Sequence, residues 1–212
     1  MKKVSLIATA MIAIFFTSFV CSGQSSKEVT IGTQVWTTKN LDVKTFRNGE
    51  AIPQAKSDEE WKKAGENEQA AWCYYNNDEA NGTKYGILYN WYAVNDPRGL
   101  APAGYHIPSD AEWSTLSDFL GGKYIASNKM KSTSGWDNNG NGTNSNGFSG
   151  LPGGTRDYHG PFANIGGGGY WWSSTEDDAY SAWLRALGYG IGFVGRSFDY
   201  KANGFSVRCL RD

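Results

Sequence analysis

Between Trp136 and Asp157 the chain reads WDNNGNGTNSNGFSGLPGGTRD, with five Asn, six Gly and two Asp in twenty-two residues. No helix or long strand survives that composition. Gly adds backbone freedom that folding must remove, and Asn and Asp hydrogen-bond their own backbone in competition with regular structure. The segment from Lys123 to Gly169 is therefore expected to be long and mostly irregular, and connections of that kind in a domain are functional loops or disordered segments. Three uses are open: a cation-binding loop, the rim of a ligand site, or a set of tight structural turns. Asp137-Asn138-Asn139-Gly140-Asn141-Gly142 matches the opening of an EF-hand loop, with Asp137, Asn139 and Asn141 as oxygen donors. Phe148 stands where such a loop needs a bidentate Glu, so the expectation is structural turns with at most a weak calcium site.

Disorder is excluded by the aromatic content. The chain holds 9 Trp, 12 Tyr and 10 Phe beside 27 Gly in 212 residues, whereas disordered chains are aromatic-poor. Net charge is -1 with no basic block, so the footprint of a nucleic-acid binder is missing. The start, MKKVSLIATAMIAIFFTSFVCSGQ, has a positive end, an apolar run from Val4 to Val20 and small residues after it. That is the order of a secretory leader cut after Gly23, leaving residues 24–212 as one domain with no transmembrane segment. A retained anchor is the alternative, as is a lipoprotein cut before Cys21, for which Val20 is a poor preceding residue. Cys73 and Cys209 would then remain. An even count in an exported chain suggests a disulfide, worth about 4–5 kcal/mol over so long a loop; the other reading is two buried free thiols.

Local signals place the elements. Residues 28–43 read as a hairpin turning at Gly32-Thr33, and Ser57 with Glu60 opens a short helix closed by Gly65. Trp72 to Tyr75 reads as strand, and Ile87, Leu88, Trp91 and Val94 predict a helix over residues 85–96. Ser109 and Glu112 form a capping box before Trp113, Leu116, Phe119 and Leu120, with Gly121-Gly122 as the stop. Strands are expected at 170–174, 181–187, 190–200 and 204–210, the second apolar on both faces apart from Arg185. Two main helices followed by an antiparallel sheet make an α+β domain.

The ordered motifs AWCYYNND (71–78), YGILYNWYAV (85–94), LAPAGYHIPSDAEWSTL (100–116), NGFSGLPGGTRD (146–157), GYWWSST (169–175) and GFSVRCLRD (204–212) resemble the Fibrobacter succinogenes major paralogous domain, FISUMP. The resemblance covers nearly the whole chain after the leader. It implies an exported or outer-membrane surface protein of a Bacteroidota-like bacterium, with a C-type-lectin-like fold related to the formylglycine-generating enzymes. Ala101 stands where many members carry a Cys, leaving Cys73 and Cys209 as the remaining pair.

Little in the sequence points to catalysis. The sugar-binding triplets of calcium-dependent lectins do not occur, and Glu176, Asp177 and Asp178 read as a solvated acidic turn. His106 and His159 are far apart and distant from cysteine, which argues against a catalytic metal site. The copper-dependent cysteine pair of the formylglycine-generating enzymes has no second redox pair to match it. Trp171 and Trp172 point to opposite faces of a strand, so one is open as a platform for a sugar ring, with burial of both as the alternative. Arg208 is expected to meet an interior carboxylate or backbone carbonyls. The expected function is a non-enzymatic binding or assembly module, without a cofactor beyond weak calcium, that contacts glycan or protein partners through aromatic loops. A structural component of an envelope or filament, or an enzyme of the formylglycine-generating branch, are the alternatives.

Overall fold

A computed structural model describes residues 27–212. The expected leader, its cleavage point and Cys21 lie outside the described residues. Strands β1 (Glu28–Ile31) and β2 (Gln34–Thr37) form the expected hairpin, and Gly32 turns it at φ 63°, a value that glycine adopts without strain. The last strand, β11 (Leu210–Arg211), pairs with β2 on one side and with β5 (Tyr105–His106) on the other. The second sheet is antiparallel, with β8 (Gly168–Glu176), β9 (Ser181–Gly188) and the edge strand β10 (Ile191–Tyr200) in order β10-β9-β8. Two further pairs are β3 (Trp72–Cys73) with β4 (Leu88–Tyr89), and β6 (Gly153–Arg156) with β7 (Phe162–Ile165). Among the described residues, five short helices complete a mixed α/β arrangement: α1 (Asp58–Glu66), α2 (Glu79–Tyr85), α3 (Trp91–Val94), α4 (Asp110–Phe119) and α5 (Lys123–Met130).

In the β8-β9-β10 sheet, β8 and β9 are covered on both faces, whereas the edge strand β10 is largely exposed. Trp172, Ala182 and Leu184 join Ile87, Tyr89, Phe205 and Val207 on one side. Trp171 and Leu187 join Trp36, Trp113, Leu116 and Phe148 on the other. Burial on both faces explains why β9 is mostly apolar, with Arg185 as the buried exception.

The capping boxes at Ser57–Glu60 and Ser109–Glu112 both form, and each starts its helix where the sequence places it. The helix expected over residues 85–96 does not form as one element: α2 ends at Tyr85, β4 pairs with β3, and α3 is a single helical turn. Asn90 decides this. Its side chain caps α3 at Ala93 N, accepts from Ala71 N and donates to Gln69 O. The expected strand at 204–210 is mostly isolated bridges, because that buried segment meets a different neighbour at each step: Arg156 at Gly204, Tyr89 at Phe205, Trp171 at Ser206. In the segment expected to be irregular, α5 and the β6-β7 pair are ordered elements.

Candidate functional site

Four buried cations tie the loops to the core. Arg208 is fully buried, and its guanidinium donates to Asn40 Oδ1 at 2.7 Å, Thr37 O at 2.8 Å, Phe148 O at 2.7 Å and Ser149 O at 3.0 Å. Of the two expected partners, backbone carbonyls are the ones it meets. Burial pushes it down to about 9, which still leaves it charged at neutral pH. Phe148 and Ser149 belong to the Asn/Gly-rich stretch, so Arg208 pins that stretch to the core. Arg156, also fully buried, donates to Gly160 O, Ala55 O and Ser57 O at 2.8–3.0 Å, and lies between the rings of Trp61 and Phe162. Arg185 pairs with Asp110 at 2.6 Å at the start of α4. Lys201 pairs with Glu176, donates to Ala179 O at 2.8 Å and stands over the Trp91 ring.

Two of these cations shape a cleft. It encloses about 350 Å³ between α1, α3, the 157–160 turn, the turn before β9 and the end of β10. Tyr92, Tyr158, His159, Tyr180 and Tyr200 supply its rings, and Lys62 and Glu66 line it from α1. Arg156 holds the turn that carries Tyr158 and His159 against the N-terminus of α1. Lys201 holds the turn that carries Tyr180, and its own N–H donates to Tyr180 O at 2.9 Å. Asn203 joins two of the walls: its Oδ1 accepts from Tyr158 N at 2.7 Å, and its Nδ2 donates to Asp199 Oδ1, which also accepts from Tyr200 N. Burial raises the Asp199 carboxyl, and Asp157 nearby adds to the rise. Gly65 lets α1 approach the end of β10, since a Cβ there would lie 2.7 Å from the Ala202 Cβ. Tyr158 contacts His159 with ring centroids 3.8 Å apart and planes tilted by 38°, and meets Tyr200 edge-on at 5.2 Å.

The sequence does not point to this cleft. Its tyrosines lie at 92, 158, 180 and 200 with no spacing that joins them; only the general excess of Tyr hinted at it. His159 joins the cleft. His106 lies elsewhere, bonded through Nδ1 to Asp212 at 2.8 Å and through Nε2 to Glu112 at 3.0 Å. Burial disfavours its charge, but the Asp212 and Glu112 carboxylates outweigh that and raise its pKa.

Other sequence-based expectations are corrected. Trp171 and Trp172 do face opposite ways, yet both are fully buried, so neither is a platform. Trp171 Nε1 donates to Asn40 Oδ1 and Trp172 Nε1 to Tyr89 O. The Cys73–Cys209 disulfide is absent: both are free, buried thiols. Neighbouring residues on a strand face opposite ways. Cys209 packs in the cluster that holds Trp72, whereas Cys73 packs with Ala55, Trp61 and Leu88 on the other side of β3. Burial pushes Cys73 up to about 11 and Cys209 up to about 12. At the calcium-like stretch, Asp137–Asn139 is a single 3-10 turn with Asn138 and Asn139 at positive φ. Asn141 Oδ1 accepts from Trp136 N, and the Asp137 carboxylate lies against Gly166. Of the three expected donors, Asn141 Oδ1 is thus engaged in a turn, and among the described residues no group of three or more His, Cys, Asp or Glu could hold a metal ion. Asp178 likewise serves its own turn, accepting from Tyr180 N, Ser181 N and Ser181 Oγ.

Short helices, small antiparallel sheets and a tyrosine-lined cleft at the meeting of several loops define a mixed α/β domain with a preformed concave site. No helix of the described residues is long and apolar enough to cross a membrane. The family model of the Fibrobacter succinogenes major domain matches residues 29–211, and the chain belongs to that family. The comparison with curated proteins and the comparison with solved structures each found no match.

Proposed function

We propose that this chain is an exported, non-enzymatic binding module with a C-type-lectin-like fold, acting at a bacterial cell surface, and that its tyrosine cleft receives a glycan. The cleft carries the reading. Four tyrosines and a histidine around about 350 Å³ offer flat apolar faces for the C–H faces of sugar rings, and their hydroxyls offer hydrogen bonds at the edges. Lys62 and Glu66 pair with each other across one helical turn at 3.7 Å, so the rim is neutral overall and suits an uncharged polyhydroxylated ligand. The walls are fixed by buried hydrogen bonds before any ligand arrives, which lowers the ordering cost of binding.

A binding role fits the reactive groups better than catalysis does. Both cysteines are buried, with pKa values raised to about 11 and about 12, and a neutral thiol is a poor nucleophile and metal ligand. His106 is engaged by two carboxylates and His159 by Tyr158 and Asp157.

A glycan array probed with the mature protein, in calcium and in chelator, tests the proposal. Binding that is equal in both buffers, and that drops at least about tenfold in Tyr158→Ala or Tyr180→Ala, is the expected result. An array without signal, or a signal that both variants retain, would overturn it.

A further inference from the structure

The aromatic surface does not end at the cleft. Tyr200, which lines the cleft, lies on β10 two residues from Phe198, so both side chains project from the same face of that strand. Phe198 is 56 % exposed and faces Trp183 across the β9-β10 ladder, with ring centroids 5.7 Å apart and planes at 84°. Beyond it, the Arg196 guanidinium lies 3.5 Å from the centre of the Trp183 ring. Arg196 is fixed there by two-oxygen contact with Asp110, at 3.0–3.1 Å from Nε and 2.9 Å from Nη2. At the cleft end, Tyr180 is 75 % exposed. Tyr180, Tyr200, Phe198 and the Trp183–Arg196 stack therefore form a line of rings along the sheet edge, starting inside the cleft.

We infer that the ligand is a polysaccharide strand, seated by one end or segment in the cleft and continuing along β10 over Phe198 and the Trp183–Arg196 stack. This rests on the reading of the cleft as a glycan site. Three features favour a sugar polymer over a peptide. The rings are presented singly and in a row, as successive sugar units require. The cation of the track, Arg196, is tied to Asp110, a carboxylate that buried Arg185 shares, and its guanidinium lies over the Trp183 ring, so it extends the flat surface instead of standing free as a hook for an anion. Its continuity with the cleft gives a ligand longer than the cleft somewhere to go. Each added ring contact strengthens binding only for a chain long enough to reach it.

Affinity as a function of chain length tests this. The probes are the disaccharide and the hexasaccharide of the best-binding series among cello-, xylo-, manno- and chito-oligosaccharides, titrated calorimetrically. Wild type should bind the hexasaccharide about fivefold to tenfold tighter than the disaccharide, the size of one aromatic contact. Phe198→Ala should abolish that gain and leave disaccharide affinity unchanged, while Phe198→Tyr keeps the gain. Phe198 is exposed, so its loss does not threaten the fold, and circular dichroism checks this. Equal affinity for both lengths, or a length gain that persists in Phe198→Ala, overturns the extended track. The cleft reading survives either result if Tyr158→Ala still abolishes binding. Failure of wild type to bind either length of any series overturns both.

Discussion

At the scale of single residues, the account rests on cations that are satisfied by backbone carbonyls. Arg208 is the clearest, with four oxygen acceptors, three of them backbone carbonyls. Replacing it by Met would leave Thr37 O, Phe148 O and Ser149 O without their donor, and each buried orphan is costly. Arg208→Met should destabilise by about 3–5 kcal/mol in urea unfolding, roughly 1–2 kcal/mol for each orphaned carbonyl. Arg208→Lys should recover only part, because one ammonium cannot span acceptors arranged for a planar fork; full recovery would contradict this account of the contact. A pH prediction concerns His106. Its raised pKa means its contribution is fully present below the unfolded value of about 6.5 and is lost as pH rises through the folded value. Asp110 and Glu112 act at the other end: burial opposes their charge, but Arg196 and Arg185 for the first, and Ser109 and His106 for the second, hold them below the ordinary range. Their contribution is present above an unfolded value of about 4 and fades as pH falls through the lowered folded values. Stability should decline on both sides, and His106→Gln should flatten the alkaline decline while weakening only the part of the acid decline that His106 gives to Glu112. An unchanged alkaline slope in that variant would show that His106 is not its source. Arg208 was legible in sequence as a cation seeking carbonyls or a carboxylate. Arg156 was not, since it lies in a Gly-rich segment and its acceptors Ala55 and Ser57 come from a distant part of the chain that no local signal links to it.

At the scale of elements, the helices that sequence identified well are those with chemistry at their ends. The Ser57–Glu60 and Ser109–Glu112 boxes are local, and local signals survive folding. Residues 85–96 show the opposite: a helical apolar spacing was overridden by the pairing of Leu88 with Cys73 and by Asn90, whose partners lie about twenty residues back. The edge strand β10 was legible as a strand, while its cover was not. α5 packs on it, and Ser127 Oγ donates to Ile191 O, which blunts part of an edge that would otherwise invite pairing. Two measurements belong here. Ser57→Ala should cost about 1 kcal/mol in urea unfolding; an unchanged midpoint would show that Arg156 alone holds that end of α1. Gly65→Ala reverses an ordinary expectation. In an open helix the change would stabilise by about 0.5–1 kcal/mol, but here the new Cβ would press on the Ala202 Cβ at 2.7 Å. Loss of stability together with weaker glycan binding is predicted, and a gain would contradict the close approach of α1 to β10.

At the scale of the whole molecule, interior cations, and not sulfur, fasten distant parts of the chain. Even cysteine numbers in an exported chain suggested a bridge, but sequence cannot say on which side of a strand each thiol lies. Trp72 faces the cluster that contains Cys209, which sends the adjacent Cys73 to the other side. The same limit hid the cleft, because its rings come from one short helix, two turns and one strand end that only tertiary structure assembles. What sequence did reveal was the family, the two capped helices and the antiparallel sheet late in the chain. The most direct test of the fastening is the mass of the mature protein after unfolding in excess iodoacetamide without reductant. The structure predicts full alkylation at both Cys73 and Cys209; a chain that stays unlabelled at both until reductant is added would contradict it.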